Sequence, residues 1–169
     1  PAAGAATPSA AILAEILALP SAAADRSARV AWGGWQLRRF QDHLHLLADA
    51  ELTPLTVARD WPPGTPPPDL GAWRLVAGPG DGSAEQPALQ LPEGLPLRLA
   101  PARGGERLAL NGCHQRIAEL WRAAGVPPWR RRQWPLVYAG DDLIAVPGVA
   151  VADPWRDQPL TAWHLQPAS

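Results

Sequence analysis

The chain has 169 residues, of which 47% are hydrophobic, and its net charge is −1. This composition is typical of a globular protein and excludes a disordered, highly charged tail. No apolar run reaches the roughly 18 residues that a membrane-spanning helix needs. A single cysteine, Cys113, excludes an internal disulfide and fits a reducing compartment, so we expect a cytoplasmic location.

Two residue types are absent from the sequence. Without a methionine the chain lacks an initiator, so we expect either a processed protein or a piece of a longer one. Without a lysine, all 15 cationic residues are arginines, which excludes chemistry that depends on a lysine nucleophile. A GC-rich coding bias would produce the same arginine excess, so the excess alone indicates no function.

The charges are distributed unevenly along the chain. Residues 26–40 contain four arginines and no acidic residue, and residues 103–132 contain seven arginines against Glu106 and Glu119. The overall net charge argues against a nucleic-acid ligand. Two basic segments on a nearly neutral chain nevertheless indicate local surfaces that attract anions.

The first part of the chain predicts one helix and three strands. Ser9 can cap a helix over residues 9–19, where apolar residues recur at helical spacing until Pro20. Residues 28–48 predict an antiparallel β-meander, because Gly33-Gly34 is a two-residue hairpin signal. The third strand of this meander is expected at residues 43–47.

A proline-rich segment, residues 61–71, can be neither a helix nor a central strand and predicts a loop or a stiff spacer. Residues 78–86 predict a second, polar loop. We expect the domain boundary at Gly94, which gives domains of residues 1–94 and 95–169. Short strands are expected here at residues 72–77, 88–91 and 95–100.

The second domain predicts a strand, a helix and further strands. Arg107–Leu110 is the first strand, and Asn111 can cap a helix from about Cys113 to Ala124, which Gly125 and two prolines end. The fold class is α+β: two small domains with mainly antiparallel β-sheets and a few short helices. The later strands are expected at residues 136–139, 143–146, 149–151 and 163–165.

No pattern predicts catalysis or metal binding. The sequence lacks glycine-rich phosphate loops of the Walker, dinucleotide and ATP-pyrophosphatase types. His43 and His45 share a strand face but have no nearby third ligand. The adjacent pair Cys113-His114 lacks the spacing of a catalytic dyad, and we expect Cys113 to be partly buried at a helix start. Residues 141–142, both aspartates, predict a hairpin turn.

The first basic segment places two arginines face to face. A two-residue turn at Gly33-Gly34 sets Arg29 directly opposite Arg38, and like charges in that position destabilise a strand pair. A bound phosphate would relieve the repulsion. Two structural alternatives remain open: the side chains point apart into solvent, or they pair with Asp25 or Asp42.

The second basic segment, residues 126–135, combines a rigid Pro-Pro-Trp sequence with three consecutive arginines. Trp129 can anchor the segment in the core, so some of the arginines must face solvent beside Arg116 or Arg122 of the preceding helix. Guanidinium groups at this density suit a sugar-phosphate backbone. The alternative is a solvated run of charge.

Several short motifs occur in order along the chain: residues 30–34 (VAWGG), 37–40 (LRRF), 44–46 (LHL), 103–106 (RGGE), Gly112, 126–129 (VPPW), Arg131, 135–138 (PLVY), 143–146 (LIAV) and 148–149 (GV). They resemble the non-catalytic C-terminal part of the tRNA(Ile)-lysidine synthetase family, over nearly the whole chain. The first half is similar to that family's substrate-recognition domain and the second half to its C-terminal domain.

The resemblance implies a tRNA-binding part of an ATP-dependent ligase. The family joins lysine to the wobble cytidine of the isoleucine tRNA with a CAU anticodon, and the resulting lysidine switches decoding from AUG to AUA. ATP, with magnesium, and lysine would bind an N-terminal ATP-pyrophosphatase domain that this sequence lacks. We therefore expect the chain alone to be inactive, without a cofactor of its own. Its expected partners are tRNA(Ile) and that catalytic domain, and a homodimer is an open option.

Charge and resemblance together assign tRNA binding to eight arginines, of which Arg131 matches the family's arginine. The sequence departs from the family at Ala118 and Glu119, where a lysine is frequent, and at Arg132, where an acid is frequent. A rival interpretation is a protein-interaction module rich in tryptophan and proline, with no role in nucleic-acid binding. The eight arginines are Arg29, Arg38, Arg39, Arg103, Arg116, Arg130, Arg131 and Arg132.

Overall fold

The computed structural model describes residues 7–19, 28–71, 73–77, 89–92, 94–156 and 160–167. The chain forms two compact units, Pro1–Thr53 and Pro54–Ser169. Within the described residues, no helix has the length and hydrophobicity needed to cross a membrane. All strand pairs between described residues are antiparallel, which confirms the predicted α+β class.

The first unit contains the predicted helix and meander. Helix α1 spans Ala10–Ala18, and the Ser9 hydroxyl accepts a hydrogen bond from the Ile12 N–H at 3.4 Å. The two glycines of the first turn have φ values of 49° and 81°, which the side chains of most residues disfavour. Three strands form one sheet in the order β1 (Arg29–Trp32), β2 (Trp35–Phe40) and β3 (His43–Ala48).

The second unit contains three sheets. The largest has the strand order β12-β11-β10-β7-β4, the second has the order β5-β13-β6, and β8 pairs with β9 alone. Helices α2 (Ile117–Ala123) and α3 (Pro128–Arg131) connect β9 to β10. The strands are β4 (Arg59–Trp61), β5 (Trp73–Ala77), β6 (Leu89–Pro92), β7 (Leu97–Pro101), β8 (Arg107–Leu110), β9 (Cys113–Arg116), β10 (Pro135–Ala139), β11 (Asp142–Val146), β12 (Ala150–Val151) and β13 (Leu160–Pro167).

Two hydrophobic clusters hold this second unit together. Leu136 and Val137 are adjacent on β10 and fully buried, yet they belong to different clusters, because successive side chains of a strand point to opposite faces. One cluster joins β10 to Trp73, Leu75 and Leu91 of the second sheet. The other joins β10 to Leu108, Leu110, Ile117 and Trp121 of the β8–β9 hairpin and α2. The five-stranded sheet thus has a core on each side.

The division between the units differs from the boundary expected at Gly94. Strand β4, which the sequence did not predict, pairs with β7 through Arg59 and Leu99. Strands β5 and β6 both pair with β13, near the end of the chain. Long-range strand pairing therefore joins residues 54–94 to the second unit, although a proline-rich segment lies among them. The polar loop expected at residues 78–86 lies outside the described residues.

The helix expected from Cys113 to Ala124 is only partly correct. Residues 113–116 form strand β9, and α2 begins at Ile117. Asn111 and Gly112 have φ values of 53° and 72°, so they form a two-residue hairpin turn instead of a helix cap. Cys113 is consequently exposed on a strand and not partly buried at a helix start.

The carboxylate of Asp153 supports this turn. The Gly112 N–H donates to Asp153 Oδ2 at 3.0 Å, and Arg156 Nη1 lies 3.3 Å from Oδ1. The backbone N–H of Gly112 and then that of Asn111 lower the pKa of Asp153 below its ordinary value near 3.8. A carboxyl group whose pKa is lowered by folding stabilises the fold above its unfolded-state pKa and loses that effect in acid.

We therefore expect Asp153→Asn to destabilise the chain at pH 7 but to have little effect once the pH falls well below 3.8. Urea unfolding at a series of pH values measures the difference between wild type and variant. Asp141→Asn is the control, because Asp141 is exposed at the tip of the β10–β11 hairpin. A stability difference that stays constant from pH 7 to acid would contradict the role of the carboxylate.

Candidate nucleic-acid interface

The three-stranded sheet of the first unit presents a row of basic side chains across its strands. Arg29 lies directly opposite Arg38, as the hairpin turn predicts, and Arg38 lies opposite His45 on β3. Arg29 is exposed, and its guanidinium forms no hydrogen bond or ion pair with the described residues. The row is therefore a cationic surface in which no described acid compensates Arg29.

Arg38 is held in place by its neighbour on the same strand. Its Nε and Nη2 donate to Gln36 Oε1 at 3.0 Å and 2.7 Å, and Gln36 in turn donates to Asp49 Oδ1. Burial, and then repulsion by Arg29, lower the pKa of Arg38 from its ordinary value, while Asp49 partly offsets this. Because the guanidinium is oriented before any ligand arrives, little ordering is needed for it to bind an anion.

Arg39 lies on the other face of the same sheet, so the structure does not join it to this row. Its Nε donates to the Gln41 carbonyl at 3.2 Å, and its Nη2 lies 4.0 Å from Asp42 Oδ1. Asp42, which the sequence offered as a partner for Arg29 or Arg38, therefore pairs with Arg39 instead. Asp25, the other candidate acid, lies outside the described residues.

The three consecutive arginines of the second unit have three different environments. They lie in and directly after α3, whose Trp129 is buried as expected. The Arg130 guanidinium lies over the Trp73 ring, 5.1 Å from its centroid. Arg131 Nε donates to the Val126 carbonyl at 2.9 Å, and burial and then Arg122 lower its pKa. Arg132 is exposed, and its side chain forms no hydrogen bond or ion pair with the described residues.

A second pair of opposed arginines lies on the β8–β9 hairpin. Arg107 is directly opposite Arg116, and both are exposed. The sequence pattern assigned tRNA binding to Arg116 but not to Arg107. The signal was present: a turn at Asn111-Gly112 pairs Leu110 with Cys113 and, counting outward, Arg107 with Arg116. Arg103 is exposed in the loop that precedes this hairpin.

Two cavities adjoin this hairpin, and their charges differ. The larger, of about 590 Å³, is lined by the acidic residues Glu106, Asp141 and Asp142 as well as by Arg107 and His114. The smaller, of about 350 Å³, is lined by Arg107, Arg116 and a single carboxylate, that of Glu106. Of these two, the smaller cavity has an excess of positive charge, so it is the one that suits an anion.

The candidate metal ligands do not form a site among the residues that the structure describes. No group of three or more His, Cys, Asp or Glu side chains is close enough there to hold a metal ion. The rings of His43 and His45 have centroids 6.5 Å apart on the same sheet face. Asp141 and Asp142 lie at the β10–β11 turn, as predicted.

Comparison with protein-family models finds one family domain in each half of the chain. A model described as the TilS substrate binding domain matches residues 2–45, and one described as the TilS substrate C-terminal domain matches residues 97–166. Together they cover more than half of the chain. The chain belongs to the tRNA(Ile)-lysidine synthase family. The resemblance found in the sequence is thereby confirmed, with both family domains in the expected order.

Several curated proteins named tRNA(Ile)-lysidine synthase are similar to this chain. The one from Legionella pneumophila (strain Paris) is 33% identical over 144 residues, which is 83% of this chain and 32% of that protein. The one from Serratia proteamaculans is 34% identical over 143 residues, 78% of this chain and 32% of that protein. The chain therefore spans about a third of the length of these relatives.

A shorter segment has higher identity to another relative. The tRNA(Ile)-lysidine synthase of Chromobacterium violaceum is 53% identical over 55 residues, 32% of this chain and 13% of that protein. Among solved structures, the crystal structure of a TilS C-terminal domain aligns with a TM-score of 0.49 and 20% sequence identity. It covers 67% of this chain and 99% of that structure.

Proposed function

We propose that this chain is the tRNA-binding part of an ATP-dependent tRNA(Ile)-lysidine synthetase. In this proposal it holds tRNA(Ile), while a separate N-terminal domain uses ATP, magnesium and lysine to modify the wobble cytidine. Exposed arginines of both units contact phosphates, and no residue of this chain takes part in the chemistry. The proposed location is the cytoplasm, where the tRNA substrate is found.

The observation that supports tRNA binding best is the arrangement of Arg29 and Arg38. Two guanidiniums directly opposite each other on a hairpin destabilise the fold, typically by about 0.2–1 kcal/mol. Arg38 is nevertheless held in this position by two hydrogen bonds to Gln36, and no described acid neutralises Arg29. An arrangement that costs stability and is rigidly maintained fits a phosphate-binding site. It lies within the residues that match the substrate-binding family domain.

Replacing Arg29 by alanine should weaken tRNA binding without destabilising the free protein. The variant removes one phosphate-binding guanidinium and also the repulsion of Arg38, so the melting temperature should stay constant or rise. Filter binding or fluorescence anisotropy with tRNA, over a salt series, measures the affinity. The log–log salt slope should become shallower by roughly 0.7–0.9, because one phosphate fewer is neutralised.

Arg59→Ala is the matched control for this measurement. Arg59 is also exposed on an edge strand, but it lies opposite Leu99 and not opposite another arginine. The control changes net charge equally, so it corrects for non-specific electrostatic attraction. If Arg29→Ala and Arg59→Ala have the same affinity and salt slope as each other, the Arg29–Arg38 pair is not a phosphate site.

A second candidate function, protein interaction, is favoured by exposed leucines in the first unit. Leu13 and Leu17 of α1 are 46% and 79% exposed, and Leu44 and Leu46 of β3 are 47% and 44% exposed. Such apolar surfaces fit contact with another protein or domain. A protein whose only role is to contact another protein should show negligible tRNA affinity at low salt. A tRNA-binding protein should bind tRNA with an affinity that depends strongly on salt.

A further inference from the structure

The β8–β9 hairpin repeats the arrangement of arginines seen in the first unit, but beside a cavity. Arg107 and Arg116 are cross-strand partners at the open end of the hairpin. Neither guanidinium forms a hydrogen bond or ion pair with the residues that the structure describes. No hydrogen bond or ion pair with a described residue therefore relieves the repulsion between them.

The cavity of about 350 Å³ beside this pair lies between the hairpin, the loop before β8 and the start of α2. Its walls include Gly104, Gly105, the first residues of α2 and the ring of Trp121, which is only 6% exposed. The Ile117 N–H donates to the Glu106 carbonyl at 3.0 Å, which ties the start of α2 to the loop before β8. The volume lies within the range of roughly 300–1,000 Å³ that is typical of small-molecule sites.

The one carboxylate in the cavity wall is already engaged. Glu106 accepts hydrogen bonds from the backbone N–H groups of Arg103 and Gly104, the latter at 3.1 Å and 3.0 Å to its two oxygens. Its hydrogen-bonding capacity is thus directed to the loop, where it fixes residues 103–106. Two arginines face one such carboxylate, so the cavity retains an excess of positive charge.

We propose that this cavity binds a phosphate monoester through Arg107 and Arg116. A phosphate monoester offers three terminal oxygens that accept hydrogen bonds from two guanidiniums, whereas an internal phosphodiester offers only two. In the context of the proposed function, on which this identification of the ligand rests, the group is the 5′-phosphate at the end of the bound tRNA. A free small phosphate is the other source of the same chemistry.

The first experiment tests the cavity without RNA. Inorganic phosphate is titrated into the ¹⁵N-labelled chain, and the Trp121 indole and Gly104–Glu106 amide resonances are followed by NMR. We expect saturable shifts in wild type and in Arg59→Glu, and none in Arg116→Glu. Arg116→Glu places a carboxylate opposite Arg107, so its melting temperature should rise or stay constant while phosphate binding is abolished. Arg116→Gln is used in its place if that variant does not fold.

The second experiment identifies the source of the phosphate. Affinity is measured for tRNA with a 5′-phosphate and for the same tRNA after dephosphorylation. Wild type should prefer the phosphorylated form by roughly tenfold or more, since each hydrogen bond to a charged group corresponds to about tenfold. The preference should vanish in Arg116→Glu and persist in Arg59→Glu.

The outcomes separate this proposal from the proposed function. Equal affinity for the two tRNA forms, with tRNA still bound, overturns the 5′-phosphate site and leaves the tRNA-binding function in place. An absence of all tRNA binding together with saturable phosphate shifts overturns the function and supports a site for free phosphate. An absence of phosphate shifts at residues 104–106 and Trp121, with no preference between the tRNA forms, overturns the site itself.

Discussion

Replacing Trp73 by alanine should lower the free energy of unfolding by about 3–5 kcal/mol, as for other buried aromatic residues. Trp73 is 5% exposed and belongs to the cluster between the five-stranded sheet and the β5-β13-β6 sheet. Its ring packs against Trp134 at a centroid distance of 5.3 Å and lies under the Arg130 guanidinium. Since whole domains are stable by only about 5–15 kcal/mol, the variant should be close to unfolding.

Two other variants divide this effect into its parts. Trp73→Phe keeps an aromatic ring for Trp134 and Arg130, so it should retain most of the stability. Arg130→Ala removes the guanidinium above the ring while leaving the ring in place, and we expect this stacking to contribute about 0.5–1 kcal/mol at a partly exposed site. Chemical unfolding of all three variants gives the comparison. If Arg130→Ala costs as much as Trp73→Ala, the stability comes from the arginine and not from packing of the ring.

The local signals in the sequence were sufficient for most elements of the first unit. Gly33-Gly34 determines both the hairpin and its register, and the register alone places Arg29 opposite Arg38. Ser9 and the apolar spacing that follows it likewise locate α1. These features depend on interactions between residues close in the chain, so short-range patterns are enough to predict them.

Other features depended on long-range pairing or on a choice between two local signals. Strand β4 is only three residues long and is stabilised by pairing with β7, so its own sequence carries little information. Because of this pairing, and because β5 and β6 pair with β13, the division between the two units lies after Thr53 and not at Gly94. Asn111 is favourable both as a helix cap and in a hairpin turn. A two-residue hairpin turn needs positive φ at both of its central residues, and the sequence Asn111-Gly112 adopts this conformation readily, so the turn forms.

The candidate site was predictable in composition but not in geometry. The sequence shows three consecutive arginines, but their different environments depend on the short helix α3. Arg130 stacks on Trp73, Arg131 donates a hydrogen bond to the Val126 carbonyl, and Arg132 is exposed. Neutralising all three together would therefore confuse weaker binding with lower stability, and a better choice combines the arginines that have no such structural role.

Combined replacement of Arg107, Arg116 and Arg132 by alanine should greatly weaken tRNA binding while leaving the fold intact. All three are exposed and make no hydrogen bond or ion pair with described residues. If Arg107 and Arg116 share one phosphate and Arg132 binds a second, the log–log salt slope should become shallower by roughly 1.4–1.8 in total. Because phosphates carry little sequence information, different tRNAs should lose affinity to a similar extent. The melting temperature should not fall, since the repulsion between Arg107 and Arg116 is removed as well.

The control for this triple variant is the pair Arg59→Ala and Arg74→Ala, two exposed arginines on β4 and β5. Neither lies opposite another arginine, because Arg59 pairs with Leu99 and Arg74 with Gln166. The change in salt slope per charge removed should be clearly smaller in this control, which measures only the general reduction of positive charge. An equal change per charge would mean that the three arginines attract tRNA without forming a defined binding surface, and an unchanged slope in a folded triple variant would remove them from the binding site.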